Sequence, residues 1–238
     1  MRQVPSPVVL PFGLIGDGRV ARHLHHYFDL LNLPVRRWAR SSRCSPVAAM
    51  APCATVMVLI SDAAIEPFIA AWAGLATHRL VHCSGGLVTP FAECAHPLMT
   101  FGPDLYDLPA YRQMPFVLDA GRTPFADLLP GLPNPSFTID AADRPSYHAH
   151  CVMAGNFTTL LWQKLFDRLE QRMGIPAAAA HPFLLQTARN LASGASRALT
   201  GPLARGDAAT LAANLQALEG DSFQEVYSAF VRAYAGSR

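Results

Sequence analysis

The chain has no cysteine pair at C-x-x-C spacing, a single lysine, no apolar run of membrane length and little net charge, and each absence removes a class of protein. Its five cysteines, Cys44, Cys53, Cys83, Cys94 and Cys151, are an odd number without metal-ligand spacing, so neither a zinc site nor a disulfide framework is expected. Free thiols fit the reducing cytosol, and a cytoplasmic location is expected. A formal charge of +2 over 238 residues is too small to point to nucleic acid or an anionic membrane surface. No segment is apolar over the ~18 residues needed to span a bilayer. The apolar run after Arg2 is broken by Pro5, Pro7 and Pro11 and closed by Gly16 and Gly18, which argues against a secretory signal peptide. Of 19 basic residues only Lys164 is a lysine, a bias of coding composition rather than of function. What is present is 51% hydrophobic and 15% charged, the composition of a folded globular protein.

The first half alternates short apolar runs with helical patterns, as βαβ units do. Strands are expected at Phe12–Ile15, Val35–Ala39, Thr55–Ile60 and Arg79–Cys83, with weaker ones at Met114–Leu118 and Ser136–Ile139. A helix between the first two places Val20, Ala21, Leu24, Tyr27, Phe28 and Leu31 on one face, and Pro34 stops it. A second helix is expected from about Ala63 to Ala76. Near Arg144 and Pro145 the texture changes to helices alone. One runs from His148 to Met173, one starts at Pro182, and the last opens at Asp221 with Gln224 placed as in a capping box. Its apolar residues Phe223, Val226, Tyr227, Phe230, Val231 and Tyr234 recur at helical spacing. The expected architecture is an α/β Rossmann dinucleotide-binding domain over residues 1–145 and an all-α domain over 146–238.

Gly16-Asp17-Gly18-Arg19-Val20-Ala21 is G-x-G-x-x-A set between an expected strand and an amphipathic helix. Gly16 permits the tight turn, Gly18 lets backbone approach a pyrophosphate, and Ala21 lets the helix sit close to the strand. The helix N-terminus then offers free N–H groups to the anion. An NAD enzyme would place Asp or Glu at the end of the second strand to accept from the ribose 2′-OH. Here the chain reads Trp38-Ala39-Arg40-Ser41-Ser42-Arg43, with no acid between Asp29 and Asp62. Arg40 and Arg43 can pair with a 2′-phosphate and Ser41 and Ser42 can donate to it, so NADP(H) is the expected cofactor.

These residues resemble the N-terminal domain of pyrroline-5-carboxylate reductases and deazaflavin-dependent NADP reductases, within the wider 6-phosphogluconate-dehydrogenase-like group. A closer resemblance, over nearly the whole chain, is to bacterial Rossmann-like proteins with a helical C-terminal domain of unknown function. It rests on Val81-His82-Cys83-Ser84-Gly85, His96-Pro97-Leu98-Met99-Thr100-Phe101, Tyr147-His148-Ala149 with Asn156, and the string Ala198 to Asp207. The resemblance implies a dinucleotide domain, a dimer-forming helical domain and a cleft between them, and it supplies no substrate. Beta-hydroxyacid dehydrogenases carry Lys-x-x-x-Asn on the first interdomain helix. If Asn156 is that asparagine, Val152 stands at the lysine position, so a simple 3-hydroxyacid dehydrogenase is not expected.

His148 and Asn156, eight residues apart, share roughly one helix face and could orient and protonate a carbonyl or imine that receives hydride. The alternative for them is a helix-terminal histidine and a satisfied buried amide. His96 is expected in a loop after the fourth strand, where ligands of open α/β sheets lie. Ser84 and Gly85 either let backbone approach a nicotinamide or form a turn. Asp62, after Ser61 at the end of the third strand, borders the cofactor or caps the next helix. Arg205-Gly206-Asp207 is an anion-binding turn or a helix start with Asp207 as cap. No metal site is expected.

The function expected from these residues is an NADP-dependent oxidoreductase acting on a small carbonyl or imine in the interdomain cleft. The alternative is a non-catalytic NADP(H)-binding regulatory or assembly protein, since a fold does not establish an activity. The apolar stripes from Leu160 to Leu169 and from Phe223 to Tyr234 lead to an expected homodimer through the C-terminal helices.

Overall fold

The computed structural model describes residues 10–236; the first nine, with Pro5 and Pro7, lie outside the described residues. The chain divides into two units, one up to Thr159 and one from Leu160.

The first unit is built on β1 (Phe12–Ile15), β2 (Val35–Trp38), β3 (Thr55–Val58), β4 (Arg79–His82), β5 (Glu93–Pro97), β6 (Phe116–Asp119) and β7 (Ser136–Ile139). They form one sheet in the order β2-β1-β3-β4-β5-β6-β7. Neighbours are parallel except β5 and β6. β1 and β3 are buried along their whole length, as the unbroken apolar runs of an interior parallel strand require. Alternate residues feed opposite faces. Leu14, Met57 and Val81 join one core cluster, and Ile15, Val56, Val58 and Leu80 join the other. The chain leaves β1 for β2 on one side and crosses back to β3 on the other, so a crevice opens at the carboxyl ends of β1 and β3.

His96 does not lie in a loop, as the sequence leads one to expect. It is on β5, paired through Val81↔Glu93 to β4 and through His96↔Val117 to β6. Glu93-Cys94-Ala95-His96-Pro97 has no β-branched or aromatic residue, so local preference is silent and the two flanking ladders decide.

Helix α1 (Arg19–Leu30) buries Ala21, Leu24, Tyr27 and Phe28, as the spacing predicts, and also His23. His23 is satisfied on both nitrogens, by Tyr111 OH at 2.8 Å and the Gly102 carbonyl at 3.0 Å. α2 (Pro46–Met50), α3 (Asp62–Ala71), α4 (Leu108–Gln113) and α5 (Phe125–Leu128) cover the sheet. α3 is shorter than expected, and a separate 3-10 turn at Ala73–Thr77 takes up the rest.

The long helix expected from His148 is also corrected. α6 (Arg144–Val152) leads through a π-helical turn at Met153–Phe157 into α7 (Thr158–Met173). The Thr159 hydroxyl donates to the Gly155 carbonyl at 2.9 Å within the disturbed turn.

The second unit continues α7 and adds α8 (His181–Ala198), α9 (Gly201–Arg205), α10 (Ala208–Ala217) and α11 (Gln224–Gly236). Pro182 sits in the first turn of α8, and the helix breaks at Gly194. Of the two readings of Arg205-Gly206-Asp207, the structure selects the helix start. Gly206 takes the left-handed conformation that ends α9, and Asp207 caps α10 through the Thr210 N–H at 3.1 Å. The capping box at Asp221 does not form. Asp221 accepts from the Phe223 N–H and is held by Lys164 at 2.8 Å and by Arg168, which keep its carboxyl well below the usual range. Gln224 instead donates to the Leu215 carbonyl at 2.9 Å, and α11 begins at Gln224 itself. Two cations on α7 share the carboxylate with the Phe223 N–H, while the Gln224 N–H goes to the Asp221 carbonyl.

Candidate functional site

A cavity of about 560 Å³ lies over the crevice at the carboxyl ends of β1 and β3. Its size is that of a small-molecule or cofactor site. Gly16 turns the chain out of β1 at φ +125°, and a side chain there would collide with the Leu59 carbonyl. No other residue type fits. Gly18 precedes α1, and nothing of the protein lies within 4 Å of where its Cβ would stand. That open cradle faces a helix start with no acidic residue in its first turn and no side chain capping its N–H groups. Gly16, Asp17, Gly18, Arg19 and Val20 all line the cavity. The arrangement fits a pyrophosphate, held by backbone donors and the helix dipole.

At the end of β2, Trp38, Ala39 and Arg40 line the same cavity. Arg40 is exposed and carries the positive charge of this wall. Ser41, Ser42 and Arg43 do not line it and are exposed. The Ser42 hydroxyl accepts from the Ala39 N–H at 3.1 Å, so it shapes the turn that presents Arg40.

The far wall is Ser61, Asp62, Cys83 and Ser84, after β3 and β4. Asp62 does not cap α3. Its carboxylate accepts from the Ser84 hydroxyl at 2.6 Å, and that hydroxyl accepts from the Leu87 N–H at 3.0 Å. The Ser84–Leu87 turn is thereby fixed at the cavity edge.

Gly85, next along, is buried and does not line the cavity. The place of its missing side chain is taken by two imidazoles. A Cβ there would clash with His148 Nδ1 and would stand 2.9 Å from His96 Nε2. The rings of His96 and His148 meet edge to face with centroids 5.9 Å apart. Tyr147, beside His148 on α6, bonds through its hydroxyl to His96 Nδ1 at 2.8 Å. Burial, with His148, Arg144 and His82 nearby, pushes the His96 pKa down to about 4. Asp62 opposes that shift without cancelling it. Burial also raises the Tyr147 phenol well above its ordinary range, so it keeps its proton.

The structure therefore brings His96 and His148 together, and Asn156 is exposed in the π-helical turn. The single-face spacing of His148 and Asn156 assumed an unbroken α-helix. Sequence reasoning did not assign roles to Tyr147 or to the groups beneath it. Arg144 is fully buried and donates from Nε to Asp119 at 2.5 Å. His82, 1% exposed, has its pKa pushed down to about 4 by burial and by Arg144. The fingerprint and its helix were legible as a motif. A buried arginine in a polar stretch such as Asp143-Arg144-Pro145-Ser146 left no such signal.

The fold matches solved reductases over nearly its whole length. Protein BF3122 of Bacteroides fragilis, named as an NADP oxidoreductase by inference, superimposes with a TM-score of 0.74 at 22% identity, covering 94% of this chain and 97% of that one. A pyrroline carboxylate reductase of Plasmodium falciparum, solved with NADP bound, gives 0.59 at 14% identity over 96% and 97%. A reductive aminase of Aspergillus terreus, solved with NADPH and ethyl levulinate, gives 0.62 at 15% over 94% and 88%. Residues 119–234 match the family model of DUF2520, a domain of unknown function. The DUF2520 segment opens at Asp119, the partner of Arg144, and takes in Tyr147, His148 and Asn156. No curated protein matches the chain. At these identities the likeness establishes the fold alone, a Rossmann-type sheet followed by helices.

Proposed function

We propose that the chain is an NADP(H)-dependent oxidoreductase that transfers hydride to or from a small carbonyl or imine. The observation that carries this reading is one juxtaposition: a glycine-floored cavity at the sheet's switch point with paired imidazoles one residue beyond its Ser84 edge. In this reading Gly16, Asp17, Gly18, Arg19 and Val20 hold the pyrophosphate. Arg40 pairs with the 2′-phosphate, with Ser41, Ser42 and Arg43 at the rim. Ser61, Asp62, Ser84 and Gly85 border the nicotinamide end. Bound NADP(H) supplies the hydride, and the protein supplies orientation and a proton.

His148 is the group proposed to give or take that proton, with His96 and Asn156 assisting. Neutral His96 contributes as a hydrogen-bonding group, because its depressed pKa leaves it uncharged near pH 7. The reading is supported by fold relatives solved with NADP or NADPH, one of them a reductive aminase. We place the enzyme in the cytoplasm as a homodimer joined through its C-terminal helices. In the second unit Ala180 alone among the described residues is buried, while Phe183, Leu185, Leu191 and Phe230 are each at least half exposed. Leu161, Leu218, Phe223, Val226, Tyr227 and Phe230 line an apolar groove of about 340 Å³ that such an interface would cover.

The test is a panel of aldehydes, ketones and preformed imines incubated with NADPH and the protein. Steady loss of NADPH absorbance with any of them supports the proposal. Tight NADPH binding by calorimetry with no turnover across the panel favours a non-catalytic NADP(H)-binding protein instead.

A further inference from the structure

The histidine pair above Gly85 has a directional hydrogen-bond order that the sheet and α6 impose together. Tyr147 OH and His96 Nδ1 are 2.8 Å apart. Burial keeps the proton on the phenol. A phenol O–H is a far stronger donor than a neutral imidazole N–H, and the bare imidazole nitrogen is the better acceptor, so Tyr147 O–H donates to His96 Nδ1. With Nδ1 accepting and the ring neutral, the His96 proton must sit on Nε2.

That Nε2–H and His148 Nδ1 converge on one point, the place of the missing Gly85 Cβ. His148 Nδ1 is buried and has no hydrogen-bond partner among the described residues. A buried nitrogen left without a partner has lost its water and gained nothing in return, so the fold favours a donor there. His96 Nε2–H faces the same gap above Gly85 and is the donor assigned to His148 Nδ1 in this inference. His148 then carries its own proton on Nε2, at the end of the ring away from Gly85. We infer that Tyr147 and His96 are positioning residues that lock His148 as its Nε2–H tautomer, presenting a donor at one fixed atom. The inference deepens the proposed role of His148, but the tautomer lock is a property of the protein without cofactor or substrate.

The geometry also accounts for Gly85. Any side chain there would occupy the space in which the two imidazoles meet. The groups facing His96 from the other elements are His82 on β4, Asp62 at the start of α3, and Arg144 and His148 on α6. Their net effect, with burial, keeps the ring neutral, which a relay through both of its nitrogens requires.

The experiment is a long-range proton–nitrogen correlation spectrum of the histidine-labelled full chain at neutral pH, without cofactor. Signals are assigned from His96→Gln and His148→Gln. The expected result is that His96 and His148 are both neutral Nε2–H tautomers in the unaltered protein. In Tyr147→Phe both residues should lose the single tautomer and show a mixture. A His96 ring protonated on Nδ1, or a His148 ring in mixed tautomers in the unaltered protein, overturns the inference. So does a folded Tyr147→Phe whose imidazole signals are unchanged. If Tyr147→Phe does not fold, the spectrum of the unaltered protein decides alone. Failure to find any substrate would count against the oxidoreductase and leave this result standing.

Discussion

His148 stands where a side chain on Gly85 would be, so a helix residue of α6 and the turn after β4 are fitted to each other through the absence of one methyl group. Gly85→Ala should therefore displace His148 and lower stability by ~1–3 kcal/mol, the range for overpacking a filled site. Combining it with His148→Ala should recover much of that loss, since the two changes share one space. Urea denaturation of the single and double variants measures both. Additive losses would mean the clash is relieved elsewhere.

Gly18→Ala should behave in the opposite way. No protein atom lies near its missing Cβ, and its φ of −67° suits alanine. Stability should fall by less than about 1 kcal/mol, the scale of an N-cap change. NADPH affinity should drop by at least an order of magnitude, because the methyl group enters the space proposed for the pyrophosphate. Calorimetric titration beside a thermal melt separates the two effects.

Arg40→Ala tests the cofactor preference. Losing a charge-assisted bond to the 2′-phosphate should weaken NADP(H) binding by ~1.5–3 kcal/mol, roughly ten- to a hundredfold. NAD(H) binding should change little, and equal losses for both cofactors would remove Arg40 from that role.

Stability should depend on pH through His82. In the folded chain its pKa is about 4, depressed by burial and Arg144 and partly restored by Asp119 and Asp62. In the unfolded chain it returns to about 6.5. Between these values the unfolded state binds the extra proton, so stability rises with pH across the window and is lost as pH falls from 6.5 towards 4. The loss from this residue is on the order of 3 kcal/mol, and His96 acts in the same direction. Urea midpoints measured from pH 4.5 to 7 should show this slope, and His82→Leu should flatten it.

The second unit should be covered by a second copy. Light scattering at tens of micromolar, a concentration suited to an obligate interface, should give the mass of a dimer. A charged replacement at Phe230, half exposed beside the apolar groove, should shift the mass towards the monomer. A monomeric unaltered protein would overturn the interface.

The sequence by itself determined the parts whose physics is local. Gly16 and Gly18 announced a tight turn and a close approach because no other residue gives that backbone and that space. β1, β3 and α1 were legible because their apolar residues recur at the period of the element that buries them. Arg40 and the missing carboxylate after β2 were equally plain, because the choice is made by charge at one position.

Only the tertiary structure decided what depends on distant neighbours. β5 has no strand-forming residues of its own and exists because β4 and β6 offer ladders on both sides. His96 was readable as a histidine near a sheet edge, but its partnership with Tyr147 and His148 spans about fifty positions of chain and obeys no periodicity. Arg144 marked only a change of texture in the sequence, and Asp119 makes it one half of a buried ion pair. Asp221 and Gln224 had the spacing of a capping box, but the Asp221 carboxylate is shared among the Phe223 N–H, Lys164 and Arg168, and the Gln224 side chain goes to the Leu215 carbonyl. Spacing along a chain fixes which groups share a face. Which group wins a given hydrogen bond depends on every donor the fold brings within reach.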